Sequence, residues 1–131
     1  MGYRTEANWS LSCSECEFRG AIRGLDTVCL QCSAPLMVSY DSRGISAERP
    51  NLDGRPWSMW RYREWLPLSD SELPVTLGEG CTPLLRANVL EERHGLRRVY
   101  VKDESQNPTG SFKARGLSVA VTRAVADGAE R

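Results

Sequence analysis

The spacing of apolar residues is most regular in the last third of the chain. Behind Lys113, apolar side chains recur at helical intervals and stop before Gly128, at Leu117, Val121, Ala124 and Val125. Residues 98–102 are rich in β-branched and aromatic side chains and predict a strand. A strand, a tight loop and a helix form the first half of an α/β unit, in which ligands usually bind at the loop. A parallel strand should follow, but the sequence ends at Arg131.

The middle of the chain has weaker periodicity. Residues 87–95 are typical of a short polar helix closed by Gly95, and residues 75–85 combine a short apolar strand with a glycine turn. Residues 41–56 are polar and have no period, which predicts a linker between an N-terminal module and the main domain. The next segment, residues 57–67, holds three of the four tryptophans.

This Trp-rich segment allows two interpretations. A mixture of aromatic residues and arginines can stack on nucleic-acid bases. Alternatively, a short helix or extended arm anchors its aromatic side chains on the main domain or on another subunit. The charge favours the second interpretation, because 17 Lys and Arg balance 17 Asp and Glu. Without a basic excess, neither nucleic acid nor an anionic membrane is indicated as a partner.

The sequence contains no apolar run long enough to span a bilayer, and residues 1–10 lack the apolar core of a signal peptide. The expected location is therefore the cytoplasm, where thiols stay reduced. The five cysteines accordingly indicate metal ligands or free thiols and not disulfides.

Four of the cysteines form two C-x-x-C pairs with twelve residues between them, at Cys13, Cys16, Cys29 and Cys32. Two such turns can present four thiolates to one Zn²⁺ in the tetrahedral geometry of structural sites. The residues between the pairs suffice for a short hairpin, so we predict a zinc-ribbon-like module over residues 8–40, folded largely by its metal. Glu17 and Ser33 stand where glycine often follows a zinc knuckle. The alternatives are unrelated free-thiol turns or a redox pair.

The fifth cysteine, Cys81, belongs to neither pair and is expected to be a small buried residue in a turn. The only histidine, His94, lies in a charged helical stretch. A catalytic thiol is therefore not indicated, since such a thiol needs a nearby base.

The candidate for chemistry is a single lysine behind a turn. Asn107-Pro108 and Gly110 mark the turn, and Ser111 is a good helix N-cap, which places Lys113 in the first helical turn. A cation is misplaced at the positive end of a helix, so this position favours the neutral amine that attacks aldehydes. Free backbone N–H groups at the same helix end would also accept a phosphate. The alternative is that Lys113 is an ordinary exposed lysine.

Residues 107–116, Asn-Pro-Thr-Gly-Ser-Phe-Lys-Ala-Arg-Gly, resemble the signature around the pyridoxal-phosphate lysine of the threonine synthases, in the tryptophan-synthase-β-like family. The resemblance implies that Lys113 binds the cofactor covalently and that Phe112 lies close to the cofactor ring. Many relatives carry Asp where this chain has Ala114, a difference that leaves the lysine in place. The string Gly-Glu-Gly-Cys-Thr-Pro-Leu at residues 78–84, the Trp-Arg-Tyr arm and the N-terminal zinc ribbon are similar to features of the same family.

The predicted fold class is α/β, with the zinc-ribbon-like module followed, over residues 57–131, by the incomplete start of a fold-type II pyridoxal-phosphate domain. By resemblance, the complete enzyme converts O-phosphohomoserine and water to threonine and phosphate, and Lys113 moves protons at Cα and Cβ of the substrate. The family's loops for the substrate carboxylate and the cofactor phosphate are not in this sequence. The fragment alone is therefore expected to be inactive, and to work as a homo-oligomer or with the missing C-terminal portion of the enzyme.

Two alternatives stay open. Within the same fold, the chain could belong to an enzyme of the threonine dehydratase or cysteine synthase type, although the Asn-Pro-Thr-Gly match and the ribbon argue against it. From a different class, it could be a zinc-ribbon binding module for protein or RNA, with the lysine loop as an evolutionary remnant.

Overall fold

The N-terminal part of the chain forms a small antiparallel sheet. The computed structural model describes four stretches of the chain, residues 9–20, 27–40, 51–69 and 72–130. Strands β1 (Trp9–Cys13), β2 (Arg19–Gly20) and β3 (Leu36–Tyr40) lie in the order β2-β1-β3, with β1 antiparallel to both neighbours.

The two C-x-x-C turns extend from this sheet. The first follows β1, and the Cys13 N–H closes it by donating to the Phe18 carbonyl at 3.0 Å. The second lies inside an isolated antiparallel bridge between Val28 and Pro35. The predicted hairpin between the pairs is present as far as β2, and its residues 21–26 lie outside the described residues.

The Trp-rich segment contains a distorted 3₁₀ helix over Met59–Trp65. Ser58 begins it, because its hydroxyl accepts a backbone N–H two residues further on, at 3.3 Å. Tyr62 interrupts the helical geometry with φ −107° and ψ 27°. Of the predicted linker, residues 41–50 lie outside the described residues, and residues 51–56 contain a turn but no helix or strand.

A short helix connects the two strands of a second sheet. Strand β4 (Leu84–Arg86) pairs antiparallel with β5 (Tyr100–Lys102), and helix α1 (Asn88–His94) lies between them in the chain. Gly95 ends α1 in the left-handed conformation, φ 63°, which confirms the predicted helix stop. Both described sheets are antiparallel, so the parallel pairing of an α/β unit is not found in the described stretches.

Of the short strand and glycine turn predicted over residues 75–85, strand pairing is present only from Leu84, after the glycines. Gly78, Gly80 and Cys81 all have positive φ, which interrupts an extended ladder. The backbone of this segment bonds to a side chain instead, since the Val75 N–H donates to Thr122 Oγ1 at 2.9 Å.

Helix α2 (Lys113–Ala126) confirms the predicted helix but faces the core with small and polar side chains. Ala114 and Thr122 are buried, whereas the apolar stripe is about half exposed, at Leu117, Val121 and Val125. The core beneath α2 is small, and its members are Met59, Trp60 and Leu68, with Leu66 and Val119 packed against them. None of the helices in the described stretches is long and apolar enough to cross a membrane.

The N-terminal sheet contacts the rest of the chain through Trp9. The Trp9 indole N–H donates to the Leu68 carbonyl at 3.4 Å. The guanidinium of Arg123, on α2, lies 5.5 Å from the centroid of the Trp9 ring, within cation–π range. The sheet is therefore docked beside α2.

Candidate active site and metal centre

The lysine loop, residues 107–113, is a tight turn that leads directly into α2. The Gly110 N–H donates to the Asn107 carbonyl at 2.7 Å, and Gly110 has φ +69°. The Ser111 hydroxyl accepts the Lys113 N–H at 3.2 Å as predicted, but the residue at the N-cap position of α2 is Phe112 and not Ser111. Lys113 is the first residue of α2, so it lies in the first helical turn as the sequence indicated.

The start of α2 offers fewer free N–H groups than the sequence suggested. The Lys113 N–H is bound by the Ser111 hydroxyl, the Ala114 N–H donates to the Ser111 carbonyl at 3.3 Å, and the Arg115 N–H donates to the Phe112 carbonyl at 3.1 Å. These three N–H groups are therefore already bonded within the turn, and phosphate binding at this helix end stays a prediction.

The two residues predicted to contact the cofactor both expose their side chains. Phe112 is 64% exposed, and Lys113 is also exposed. Lys113 is one of only two lysines among the 17 Lys and Arg residues of the chain. The other, Lys102, donates from Nζ to the Thr82 carbonyl. An amine-specific reagent therefore has two lysine targets in this chain, and their surroundings differ.

A carboxylate behind the lysine loop binds residues on both sides of it. Glu104 Oε2 accepts hydrogen bonds from Arg115 Nε at 2.7 Å and from Asn107 Nδ2 at 2.9 Å. Glu104 Oε1 accepts from Arg115 Nη2 at 2.8 Å and from the Thr82 hydroxyl at 2.6 Å. The Arg115 guanidinium, and then the Thr82 hydroxyl, hold the pKa of Glu104 well below its usual range. The sequence reasoning missed this cluster, because no helical or strand spacing pairs residues across a turn.

Glu79 is a second carboxylate, and it is 1% exposed. Its Oε1 accepts hydrogen bonds from the Trp60 indole N–H at 2.7 Å, from the Thr76 hydroxyl at 2.9 Å and from the Ser118 hydroxyl. Its Oε2 accepts the Leu77 N–H at 2.9 Å. Burial alone would raise the pKa of Glu79, but these hydrogen bonds, with that from Ser118 the strongest, lower it to about 2. Trp60 is buried by this contact, which favours the anchoring interpretation of the Trp-rich segment.

The four paired cysteines converge on one point. Their Sγ atoms all lie within 4.8 Å of one another, at 3.4 Å between Cys13 and Cys32 and 3.7 Å between Cys16 and Cys29. A disulfide bond would require a distance of about 2.0 Å between two sulfur atoms. The observed distances are longer, and all four thiols are free. Four sulfur ligands at about 2.3 Å from a tetrahedral zinc would lie about 3.8 Å apart. The described sulfur positions therefore fit such an ion.

Backbone N–H groups point at sulfur in both C-x-x-C turns. The N–H groups of Glu15 and Cys16 donate to Cys13 Sγ at 3.3 and 3.4 Å, and the Gln31 N–H donates to Cys29 Sγ at 3.4 Å. The first two hydrogen bonds lower the pKa of Cys13 to about 6, whereas the contact with the Cys13 sulfur raises the pKa of Cys32 to about 12. The N–H groups therefore favour the thiolate at Cys13, and not at all four cysteines.

Three residues noted in the sequence lie beside the predicted sites. Ser33 has φ 60° and takes the left-handed turn that glycine often provides, whereas Glu17 is not among the described residues with positive φ. Cys81 lies outside the sulfur cluster in a turn with φ 48°. The Cys81 side chain is partly buried, whereas the sequence predicted a buried residue.

Residues 75–131, which contain the lysine loop, match the family described as pyridoxal-phosphate dependent enzyme. The threonine synthase of Methanocaldococcus jannaschii is 46% identical over 96 residues, 72% of this chain and 24% of that protein. The threonine synthase of Methanosarcina acetivorans is 41% identical over 120 residues, 89% of this chain and 28% of that protein. That of Mycobacterium tuberculosis is 46% identical over 81 residues, 60% of this chain and 22% of that protein.

The chain thus spans about a quarter of the length of the curated relatives it matches. No solved structure gives a significant match. Residues 75–131 are therefore similar to the family of pyridoxal-phosphate dependent enzymes, and the chain as a whole is similar to a part of the threonine synthases.

Proposed function

We propose that this chain supplies the lysine-bearing segment of a threonine synthase, which converts O-phosphohomoserine and water to threonine and phosphate. The observation that carries the proposal is the position of Lys113, an exposed amine at the start of α2 within the residues that match the family. The names of the relatives support threonine synthase over the threonine dehydratase and cysteine synthase alternatives.

Lys113 would hold pyridoxal phosphate through its Nζ, and Phe112 would lie beside the cofactor ring. The exposed side chains of both residues suit this role, because a cofactor can approach them without displacing the core. When bound, pyridoxal phosphate supplies an electron-accepting ring. Lys113 Nζ, once free of the cofactor, would move protons at Cα and Cβ of the substrate as a general base and a general acid.

The phosphate groups need other ligands. The first N–H groups of α2 are bonded within the turn, and beyond Lys113 the only glycines are Gly116 and Gly128. A phosphate-binding nest of successive backbone N–H groups cannot be built from so few glycines. We therefore infer that the cofactor phosphate and the substrate carboxylate are bound by residues outside this sequence, and that the isolated chain has little synthase activity.

Replacing Lys113 with arginine is expected to abolish specific attachment of pyridoxal phosphate, because arginine keeps the charge but has no primary amine. The chain is incubated with pyridoxal phosphate, reduced with borohydride and digested, and the modified lysine is identified by mass spectrometry. Lys113 should be labelled at lower cofactor concentration than Lys102. The matched control, Lys102→Arg, should keep the labelling of Lys113, and equal labelling of both lysines would contradict the cofactor role.

The reaction itself is tested in a hybrid enzyme. Residues 75–131 replace the matching segment of the Methanocaldococcus jannaschii threonine synthase, and phosphate release from O-phosphohomoserine is measured. The hybrid should be active, and Lys113→Ala in the hybrid should lower the rate by about 10²–10⁴-fold, the usual cost of losing a positioned acid–base group. An active hybrid that tolerates Lys113→Ala would refute the assignment.

We also propose that Cys13, Cys16, Cys29 and Cys32 hold a structural zinc ion. The sulfur separations, the free thiols and the backbone N–H groups that point at sulfur support this proposal. Four protein ligands would fill the tetrahedral coordination sphere, so the ion would stabilise the N-terminal sheet and take no part in catalysis.

Cys29→Ser is expected to abolish zinc binding, because Cys29 is 1% exposed and serine is a poor ligand for this ion. The wild-type chain should release one zinc per chain to a chromogenic chelator when its thiols are blocked. Cys81→Ser is the matched control and should release the same amount as the wild type, since Cys81 lies outside the cluster. Equal zinc content in both variants would contradict the proposed site.

A further inference from the structure

Asn107, at the start of the lysine loop, is a buried amide whose side chain bonds only to protein groups in the described structure. It is 4% exposed. Its Oδ1 accepts the Gly80 N–H at 3.0 Å, and its Nδ2 donates to the Glu104 carbonyl at 3.0 Å and to Glu104 Oε2 at 2.9 Å. The Gly80 N–H can only donate and both Glu104 oxygens can only accept, so the partners fix which end of the amide is which.

Asn107 and Arg115 reach the same carboxylate from opposite ends of the lysine loop. Asn107 begins the turn, Arg115 lies in the first turn of α2, and both bond to Glu104 Oε2. Lys113 lies between them. Loss of the Asn107 or the Arg115 contact with Glu104 would therefore move the backbone that carries Lys113. In the intact loop, the bonds of Asn107 to Gly80 and Glu104 hold the start of the loop in place.

We propose that Asn107 is a positioning residue, which sets the place of Lys113 by clamping the start of the lysine loop to Gly80 and Glu104. Both N–H groups of its amide bond to Glu104 and its oxygen accepts the Gly80 N–H, so Asn107 acts through the loop. The inference rests on the proposed function, in which Lys113 binds pyridoxal phosphate.

The presence of only two lysines provides the test. Protein labelled with nitrogen-15 at lysine alone gives two backbone amide signals, and Lys102→Arg identifies which signal is which. In Asn107→Ala, the Lys113 amide signal should move and its hydrogen should exchange with solvent at least ~10-fold faster, because the loop opens locally. The Lys102 signal should keep its position and exchange rate. Equal changes at both lysines, or no change at Lys113, would overturn the proposal.

Asn107→Asp distinguishes the effect of losing the hydrogen bonds from the effect of losing side-chain volume, because aspartate and asparagine are nearly the same size. A neutral aspartic acid can accept the Gly80 N–H and donate to Glu104, whereas its anion cannot donate and is repelled by Glu104. The charged groups that face this position are Glu104 and, bonded to it, Arg115. Burial and the Glu104 charge should raise the pKa of this aspartate above its ordinary value of about 3.9, so as the pH falls from about 7 to about 4 the Asp variant should regain the wild-type Lys113 signal and the Ala variant should not. Recovery in both variants or in neither would count against the clamp.

Arg86→Ala controls for general destabilisation. It removes the ion pair between Arg86 and Glu91, 2.8 Å long, which lies outside the clamp. This variant should keep the wild-type Lys113 signal. Borohydride trapping of pyridoxal phosphate on the same proteins should be slower at Lys113 in Asn107→Ala than in Arg86→Ala. If wild-type Lys113 is not trapped in preference to Lys102, the proposed cofactor role fails, while the amide signals still decide whether Asn107 positions the loop.

Discussion

Gly80→Ala is expected to destabilise the chain by about 3–5 kcal/mol, which is a large part of the stability of an ordinary domain. Gly80 has φ +102°, a conformation that alanine rarely adopts. A Cβ at this position would lie 2.4 Å from the backbone nitrogen of Met59 and 2.9 Å from its Cα. Neither atom can move freely, because the Met59 N–H donates to the Glu79 carbonyl at 2.9 Å. The Gly80 N–H is also held by Asn107.

Gly78→Ala is the matched control for this substitution. Gly78 also has a positive φ, +88°, but a Cβ there would meet nothing within 4 Å. Gly78→Ala should therefore lower the free energy of unfolding only through backbone strain, by about 1–2 kcal/mol. Urea unfolding followed by tryptophan fluorescence gives both values, since Trp60 lies in the core beside Met59. Similar losses in the two variants would show that the close approach of Met59 is not what requires glycine at position 80.

The features that the sequence predicted correctly depend on neighbouring residues. The hydrogen bond from the Lys113 N–H to the Ser111 hydroxyl, the start of a helix near Lys113 and the stop of α1 at Gly95 each follow from the conformational preferences of one short stretch. The two C-x-x-C turns also depend on local sequence, because each turn places its own pair of sulfur atoms. The strand pairing of β1 and β3 then brings the two turns together. Local signals of this kind can be read before any tertiary contact is known.

The features that the sequence reasoning missed depend on contacts between distant residues. Glu104 had no predicted role, yet it binds Arg115 and Thr82. Asn107 was predicted only to mark a turn, although its side chain is bonded to Gly80. The segment at residues 75–83 has strand-like composition, but its positive φ values and its bonds to α2 prevent pairing. The partner of a polar residue in a loop is set by the packing of other segments, so no spacing rule could identify it.

Glu79→Gln is expected to destabilise the chain by about 2–4 kcal/mol at neutral pH, through unsatisfied and weakened hydrogen bonds. The carboxylate of Glu79 only accepts, and its two oxygens receive four donors, among them Trp60 and Leu77. An amide in the same place turns an NH₂ group toward one of these donors and leaves that donor unpaired. The substitution also removes the negative charge that makes all four hydrogen bonds charge-assisted. Glu64→Gln is the matched control, because Glu64 pairs with Arg55 near the surface and such pairs contribute about 0–1 kcal/mol.

The effect of Glu79→Gln should also depend on pH. Folding lowers the pKa of Glu79 from 4.5 to about 2, so the charged form stabilises the folded state at every pH above about 5. That contribution, about 2 kcal/mol after allowance for screening, is lost as the pH falls from about 5 toward 2, because the unfolded chain then takes up a proton first. The difference in unfolding free energy between wild type and variant should therefore narrow over this range, while other carboxylates affect both proteins equally. A difference that stays constant between pH 7 and pH 3 would show that the charge of Glu79 contributes nothing, and that only the shape of its side chain holds Trp60 and α2 together.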